Sequence, residues 1–202
     1  TNAAGHTIAG AGRFYANLSN NGTVNADQNG KYLLMIEQPK TNAGTMTASG
    51  GGVLQFRNVG LTQTGSGQLV SSNDSPVQLS TTNVSGGLLN GAGTNSGVQY
   101  FGSNTVDAVT MQNLNAVTDN SLVNIGAGGV INNGTWTVSS PTAPGNLTRI
   151  QAAAPAVTVG GTGTIRLQGV GTGDNDSAFL YYTAVGNVLT NGASHSIKGY
   201  GR

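Results

Sequence analysis

The sequence predicts an all-β fold, a parallel β-solenoid of roughly 8–10 coils, each about 20–25 residues long. Three observations predict it: the composition, the alternation within short apolar runs, and the recurrence of those runs. Charged residues are 7% of the chain, where about 25% is usual. Glycine accounts for 33 of the 202 residues. The remaining polarity is carried by Asn, Thr, Ser and Gln, which hydrogen-bond without charge. Such side chains can stack on copies of themselves along a ladder, where like charges would repel. Strong helix formers are scarce, with one Glu (Glu37) and three Lys in the chain. Thr, Val, Asn and Gly all rank below Ala in helices.

Short motifs recur along the chain. NNGTVNAD (20–27) is followed by TNAGTMTAS (41–49), TGSGQLVSS (64–72), NNGTWTVSS (132–140) and GGTGTIRLQG (160–169). Aligned on the apolar residue after the turn, they place Val24, Met46, Leu69, Trp136 and Ile165 in one series. A second, offset series holds VLQF from Val53, VQL from Val77, LVNI from Leu122 and LTRI from Leu147. In each run apolar residues sit at i and i+2, the alternation of a strand with one face buried. Gly-Gly, Asn-Gly, Gly-Ser and Asp-Ser separate the runs and supply tight corners. The expected inward stack comprises Val24, Leu34, Ile36, Met46, Leu54, Phe56, Leu69, Leu79, Leu89, Val123, Ile125, Ile131, Ile150, Ile165, Leu167 and Ile197. Leucine-rich repeats share the period but need a Leu/Asn signature that is missing here. A β-sandwich, the second choice, would favour hairpin turns every 8–12 residues or so.

The two ends of the chain resemble each other. TNAAGHTIAGAGR (1–13) aligns without gaps on TNGASHSIKGYGR (190–202). Thr1, Asn2, Ala4, His6, Ile8, Gly10, Gly12 and Arg13 fall on Thr190, Asn191, Ala193, His195, Ile197, Gly199, Gly201 and Arg202. His6 and His195 are the two histidines of the chain. The plain reading is one single solenoid segment, 1–202, whose ends are equivalent points of a tandem repeat about 189 residues long. A motif shared by the two ends of one self-contained domain is the alternative.

The N-x-G-T coils, SGGL (85–88) and I-x-G-x-G (8–12 and 197–201) resemble the repeats of large bacterial secreted adhesins. These are the filamentous-haemagglutinin-like and autotransporter-passenger-like surface proteins. The resemblance runs over nearly the whole chain on short, degenerate motifs. It implies a right-handed parallel β-helix, export to the cell surface or matrix, and a role in adhesion or in an extracellular filament. It carries no catalytic motif.

Other function classes find little support. Net charge is +1 and the basic residues are scattered, so no patch is built for nucleic acid. No apolar run approaches the roughly 18 residues of a membrane span. The acids are Asp27, Glu37, Asp74, Asp107, Asp119, Asp174 and Asp176. A carbohydrate-cleaving β-helix, the main enzymatic rival, would need two of them facing each other. Asp174 and Asp176 stand two apart in GTGDNDSAF and form a weak Ca²⁺ candidate, although the same residues make ordinary turns. His6 and His195 read as repeated corner residues. Gly10–Gly12 and Gly160–Gly163 are weak as phosphate loops, because no Walker lysine follows. Thr-x-Thr pairs (Thr45/Thr47, Thr62/Thr64, Thr135/Thr137, Thr162/Thr164) keep no fixed spacing, as an ice-binding array would require. Tyr15, Tyr100, Tyr181 and Tyr182 are candidates for stacking on sugars. The expectation is a non-enzymatic structural or adhesive repeat of a secreted, filament-forming surface protein. It uses no cofactor, and its chief partner is itself, with a polysaccharide or cell-surface ligand as a further partner.

Overall fold

Runs of three to five alternating residues can bury one face only if other strands pair on both sides, and a coiling chain supplies those partners from its own next turn. The computed structural model describes residues 1–94, 96–140, 147–169 and 177–201. Among these residues every regular element is a strand. All the strand ladders are parallel. The chain passes in turn over three faces, and each strand pairs with the equivalent strand one coil on.

Face A stacks Leu18–Asn20, Lys40–Asn42, Gly60–Gln63, Asn83–Ser85, Ser103–Asp107, Leu122–Ile125, Thr148–Ala152 and Ala178–Tyr182. Face B begins at Thr7–Ala9 and ends at Val188–Asn191; face C begins at Gly12–Phe14 and ends at Ser196–Tyr200. One strand, Val109–Val117, turns the edge between B and C without a loop and pairs on both faces. Its bend falls at Asn113, with φ 55°. This strand joins B and C into a 17-stranded sheet beside the 8-stranded face A. The expected β-solenoid architecture is therefore present.

Coil length follows the register. Val24 pairs with Met46, Met46 with Leu69, and Leu89 with Met111, steps within the expected range. The first step is shorter, Ile8 to Val24. The last are longer, Ile150 to Leu180 and Ile165 to Ile197. Corners and strands both lengthen along the chain, the strands from three residues each in the first coil (Thr7–Ala9, Gly12–Phe14, Leu18–Asn20) to four or five in the last (Ala178–Tyr182, Val188–Asn191, Ser196–Tyr200).

The core holds most of the expected residues, including Val24, Met46, Leu54, Phe56, Leu69, Leu79, Leu89, Val123, Ile125, Ile150, Ile165 and Leu167. Three expectations fail. In Tyr32–Ile36 the inward residues are Leu33 and Met35, in register with Leu54 and Phe56, so Leu34 and Ile36 fall on the opposite row, where both are nonetheless buried. A continuous apolar run has no alternation to set its parity, and a one-residue slip exchanges the faces. Ile131 is 52% exposed, while its neighbour Asn132 is buried. Ile197 stacks on Ile165 but remains part-exposed in the last described coil. The recurrences also need correction. Val24, Met46 and Leu69 stack on face B, but Trp136 and Ile165 stack on face C. Val77 pairs with Leu54 rather than Val53, and Leu122 with Arg149 rather than Leu147.

Corners are built from amides and glycine. Where face A turns into face B, Asn2, Asn20, Asn42 and Gln63 are buried in a row. Asn2 Nδ2 donates to Asn20 Oδ1 (2.7 Å), Asn20 Nδ2 to Asn42 Oδ1 (2.8 Å) and Asn42 Nδ2 to Gln63 Oε1 (3.2 Å). Each of the three Asn amides also donates to a face-B carbonyl, of Thr23, Thr45 or Gln68. Two residues beyond Asn42 stands Gly44, where a Cβ would lie 2.2 Å from the carbonyl oxygen of Gly22 one coil below. The N-x-G motif is thus a hydrogen-bonding side chain followed by a place with no room for one. Where face C turns into face A, Glu37, Asn58, Thr81 and Gly102 all take positive φ, each following a register-matched residue (Ile36, Arg57, Ser80, Phe101). At this edge Lys40 is buried, its Nζ donating to the carbonyls of Ile36 (3.1 Å) and Gln38. Burial holds the Lys40 pKa below its ordinary value, partly opposed by the Glu37 charge.

Candidate functional site

The acids lie at corners. Asp107, at the A-to-B edge, accepts from the Gly128 amide (2.7 Å). Asp119, at the C-to-A edge, accepts from the Ser140 hydroxyl (2.6 Å). Asp27 accepts from Gln28 in the turn between faces B and C, and Asp74 takes φ 52° at the same edge. Asp174 and Asp176 lie outside the described residues. Among the described residues no three His, Asp or Glu side chains gather as a metal site. The glycine motifs Gly10–Gly12 and Gly160–Gly163 belong to B-to-C corners. The Thr pairs are split, with Thr45/Thr47 on face B, Thr62 on face A, and Thr135/Thr137 and Thr164 on face C.

The histidines share one local turn at two different edges. Asn2 Nδ2 reaches the His6 carbonyl (3.4 Å) and Asn191 Nδ2 the His195 carbonyl (2.9 Å). The His amides donate to Ala3 and Gly192 respectively, at 3.1 and 3.0 Å. After the turn, however, Ile8 enters face B and Ile197 enters face C. His6 is exposed, whereas His195 is buried. Asn132 Oδ1 accepts from the Gly134 amide (3.1 Å), so its Nδ2 is turned towards His195 Nε2 (3.0 Å). Nε2 must then accept, and Nδ1–H donates to Asn191 Oδ1 (2.6 Å). This network suits the neutral ring, and burial holds its pKa below the ordinary value.

Of the four candidate tyrosines only Tyr181 and Tyr182 come together. Tyr100 is fully buried, donates to Asn115 Oδ1 (3.1 Å) and packs 6.3 Å from Trp136; burial raises its pKa. Tyr15 is exposed beside Arg13 in the first coil (3.3 Å). Tyr181 and Tyr182 lie at the other end of face A, ring centroids 5.1 Å apart and only 4° from parallel. They line a groove of about 350 Å³ with Leu147, Arg149, Gln151 and Phe179. A second hollow of about 410 Å³ shares Leu147 and Arg149 and runs on past Leu122 and Asn120. Leu122, Arg149 and Phe179 are in register on one outward row, and Asn124, Gln151 and Tyr181 on the next. Gln151 Nε2 is tied to Asn124 Oδ1 (2.6 Å). Arg149 Nε is shut off from solvent and has no hydrogen-bond partner among the described residues. Sequence reasoning picked Tyr181 and Tyr182 but missed Arg149, Gln151 and Phe179. The usable signal was the alternation in LTRIQA, which sends Thr148 and Ile150 inward and Arg149 and Gln151 outward.

Comparison with protein-family models, with curated proteins and with solved structures finds no match.

Proposed function

We propose that this chain is a structural and adhesive segment of a long, secreted bacterial surface or filament protein, a right-handed parallel β-helix that sets length and stiffness. The observation that carries the reading is the parallel ladder, unbroken on all three faces among the described residues and braced at the A-to-B edge of the first coils by the Asn2–Asn20–Asn42–Gln63 amide row. Every coil is braced by the next, so the rod resists local opening along its length. The outward rows are largely neutral: Gln55 donates to Gln78 (2.9 Å) and Gln78 to Gln99 (3.2 Å) on face C. Neutral ladders of this kind let rods lie side by side without charge repulsion. The shared turn at Asn2–His6 and Asn191–His195 supports a tandem array.

The test is an antibody raised against residues 1–201, used on denatured cell-surface, medium and lysate fractions of the source organism. A surface or medium polypeptide many times 20.2 kDa supports the reading. A product near 20.2 kDa confined to the cell interior overturns it.

A further inference from the structure

The groove on face A is more than a gap between side chains. It lies over a parallel ladder and is lined by a pair of stacked tyrosines, each about half exposed, 51% for Tyr181 and 48% for Tyr182. Two rings already held parallel lose little freedom on binding, which is what a sugar-stacking platform requires. Arg149 lines the same groove from the neighbouring outward row, fixed in register between Leu122 and Phe179. Its Nε–H is turned into the protein and closed off from the groove's solvent. A ligand in the groove therefore meets the terminal Nη groups of the guanidinium, whose N–H donors call for an acceptor. Among the lining residues there is no acid to neutralise the guanidinium. Gln151 lies on the floor between Arg149 and the tyrosines, offering a neutral polar contact.

We propose that this groove binds a saccharide carrying an acid group, with the sugar ring on the Tyr181–Tyr182 platform and the acid group on the Arg149 fork. A planar carboxylate matches the guanidinium in two parallel hydrogen bonds, so a uronate is the preferred unit. Leu147 and Arg149 line both hollows, so the guanidinium faces a chain longer than one ring from either side. This goes beyond the structural reading and is independent of it, since a rod with an empty groove is still a rod.

The experiment is calorimetric titration of the whole chain with trigalacturonate. A heparin-derived sulfated oligosaccharide, neutral galactotriose and a mononucleotide serve as the comparison probes. Trigalacturonate binds and galactotriose binds at least about tenfold more weakly, the difference a charged hydrogen-bonded pair makes. Arg149→Met lowers trigalacturonate affinity by about tenfold or more and removes the preference over galactotriose, whereas Arg149→Lys restores part of it. Tyr181→Leu weakens both sugars together. Both side chains face outward, so far-UV circular dichroism of each variant matches the parent. Tighter binding of the sulfated probe keeps the acid-bearing saccharide and replaces the carboxylate by sulfate. The proposal is overturned if no saccharide binds the folded protein, if Arg149→Met binds as the parent does, or if the mononucleotide binds more tightly than either acidic sugar.

Discussion

Replacing Asn42 by Ala tests whether the internal amide row holds the coils together. Asn42 is fully buried and accepts from Asn20 Nδ2 (2.8 Å) while donating to Gln63 Oε1 (3.2 Å) and the Gln68 carbonyl (3.1 Å). Alanine removes three hydrogen bonds, worth about 1 kcal/mol each net, and leaves Gln63 Oε1 as a buried acceptor at a further cost of about 1–2 kcal/mol. The expected loss is therefore about 4–5 kcal/mol. For a chain of this size that lowers Tm by roughly 8–20 °C. The fitting control is Asn90→Ala, which removes another Asn–Asn ladder contact, Asn113 Nδ2 to Asn90 Oδ1 (2.6 Å), in an exposed position. A surface loss of this kind costs within about 0.5 kcal/mol. The assay is thermal unfolding by far-UV circular dichroism, with amide hydrogen exchange at Gly44 and Thr45 to locate the opening. If the two variants melt within roughly 2 °C of each other, burial adds nothing to the row and the reasoning is wrong.

Gly44→Ala places a Cβ against the Gly22 carbonyl at 2.2 Å and costs about 1–3 kcal/mol or more by overpacking. Gly60→Ala, where nothing lies within 4 Å, is neutral or stabilising by up to about 1 kcal/mol; paired urea melts check the order. Acid weakens the last coils through His195. Its folded pKa lies below the unfolded value near 6.5, so between the two values the unfolded chain binds more protons and stability rises with pH. The penalty is complete below the folded pKa and absent above about pH 6.5. Urea midpoints measured across that window slope upward with pH in the parent, and the slope flattens in His195→Gln; an unchanged slope contradicts the neutral-ring assignment.

Much of the fold was legible because its corners are chemically explicit. Asn-x-Gly pairs a ladder amide with a position that has no space for Cβ, and both halves of that requirement are written in residue types. Parity within Tyr32–Ile36 was not legible, because five apolar residues in succession suit either face and only the strand below, with Leu54 and Phe56 inward, decides. Ile131 was misplaced for the opposite reason. An apolar residue lies outside because the amide next to it is needed inside, against His195. The groove stayed hidden because its two rows meet across a step from Ile150 to Leu180, longer than the recurrence that reveals the earlier coils.

The displaced equivalence of the two His turns has a consequence for any array built from this unit. The motif recurs after eight coils and one additional face, since Ile8 belongs to B and Ile197 to C. Successive units in such an array are out of phase by one side of the triangle. Any feature fixed to one side, the tyrosine–arginine groove included, reappears on the next side about 40 Å further along and returns to its starting side only at every third unit. The fibre would present its binding positions as a slow spiral staircase. A flat surface could engage one unit in three, while a flexible polymer could wind around and meet them all.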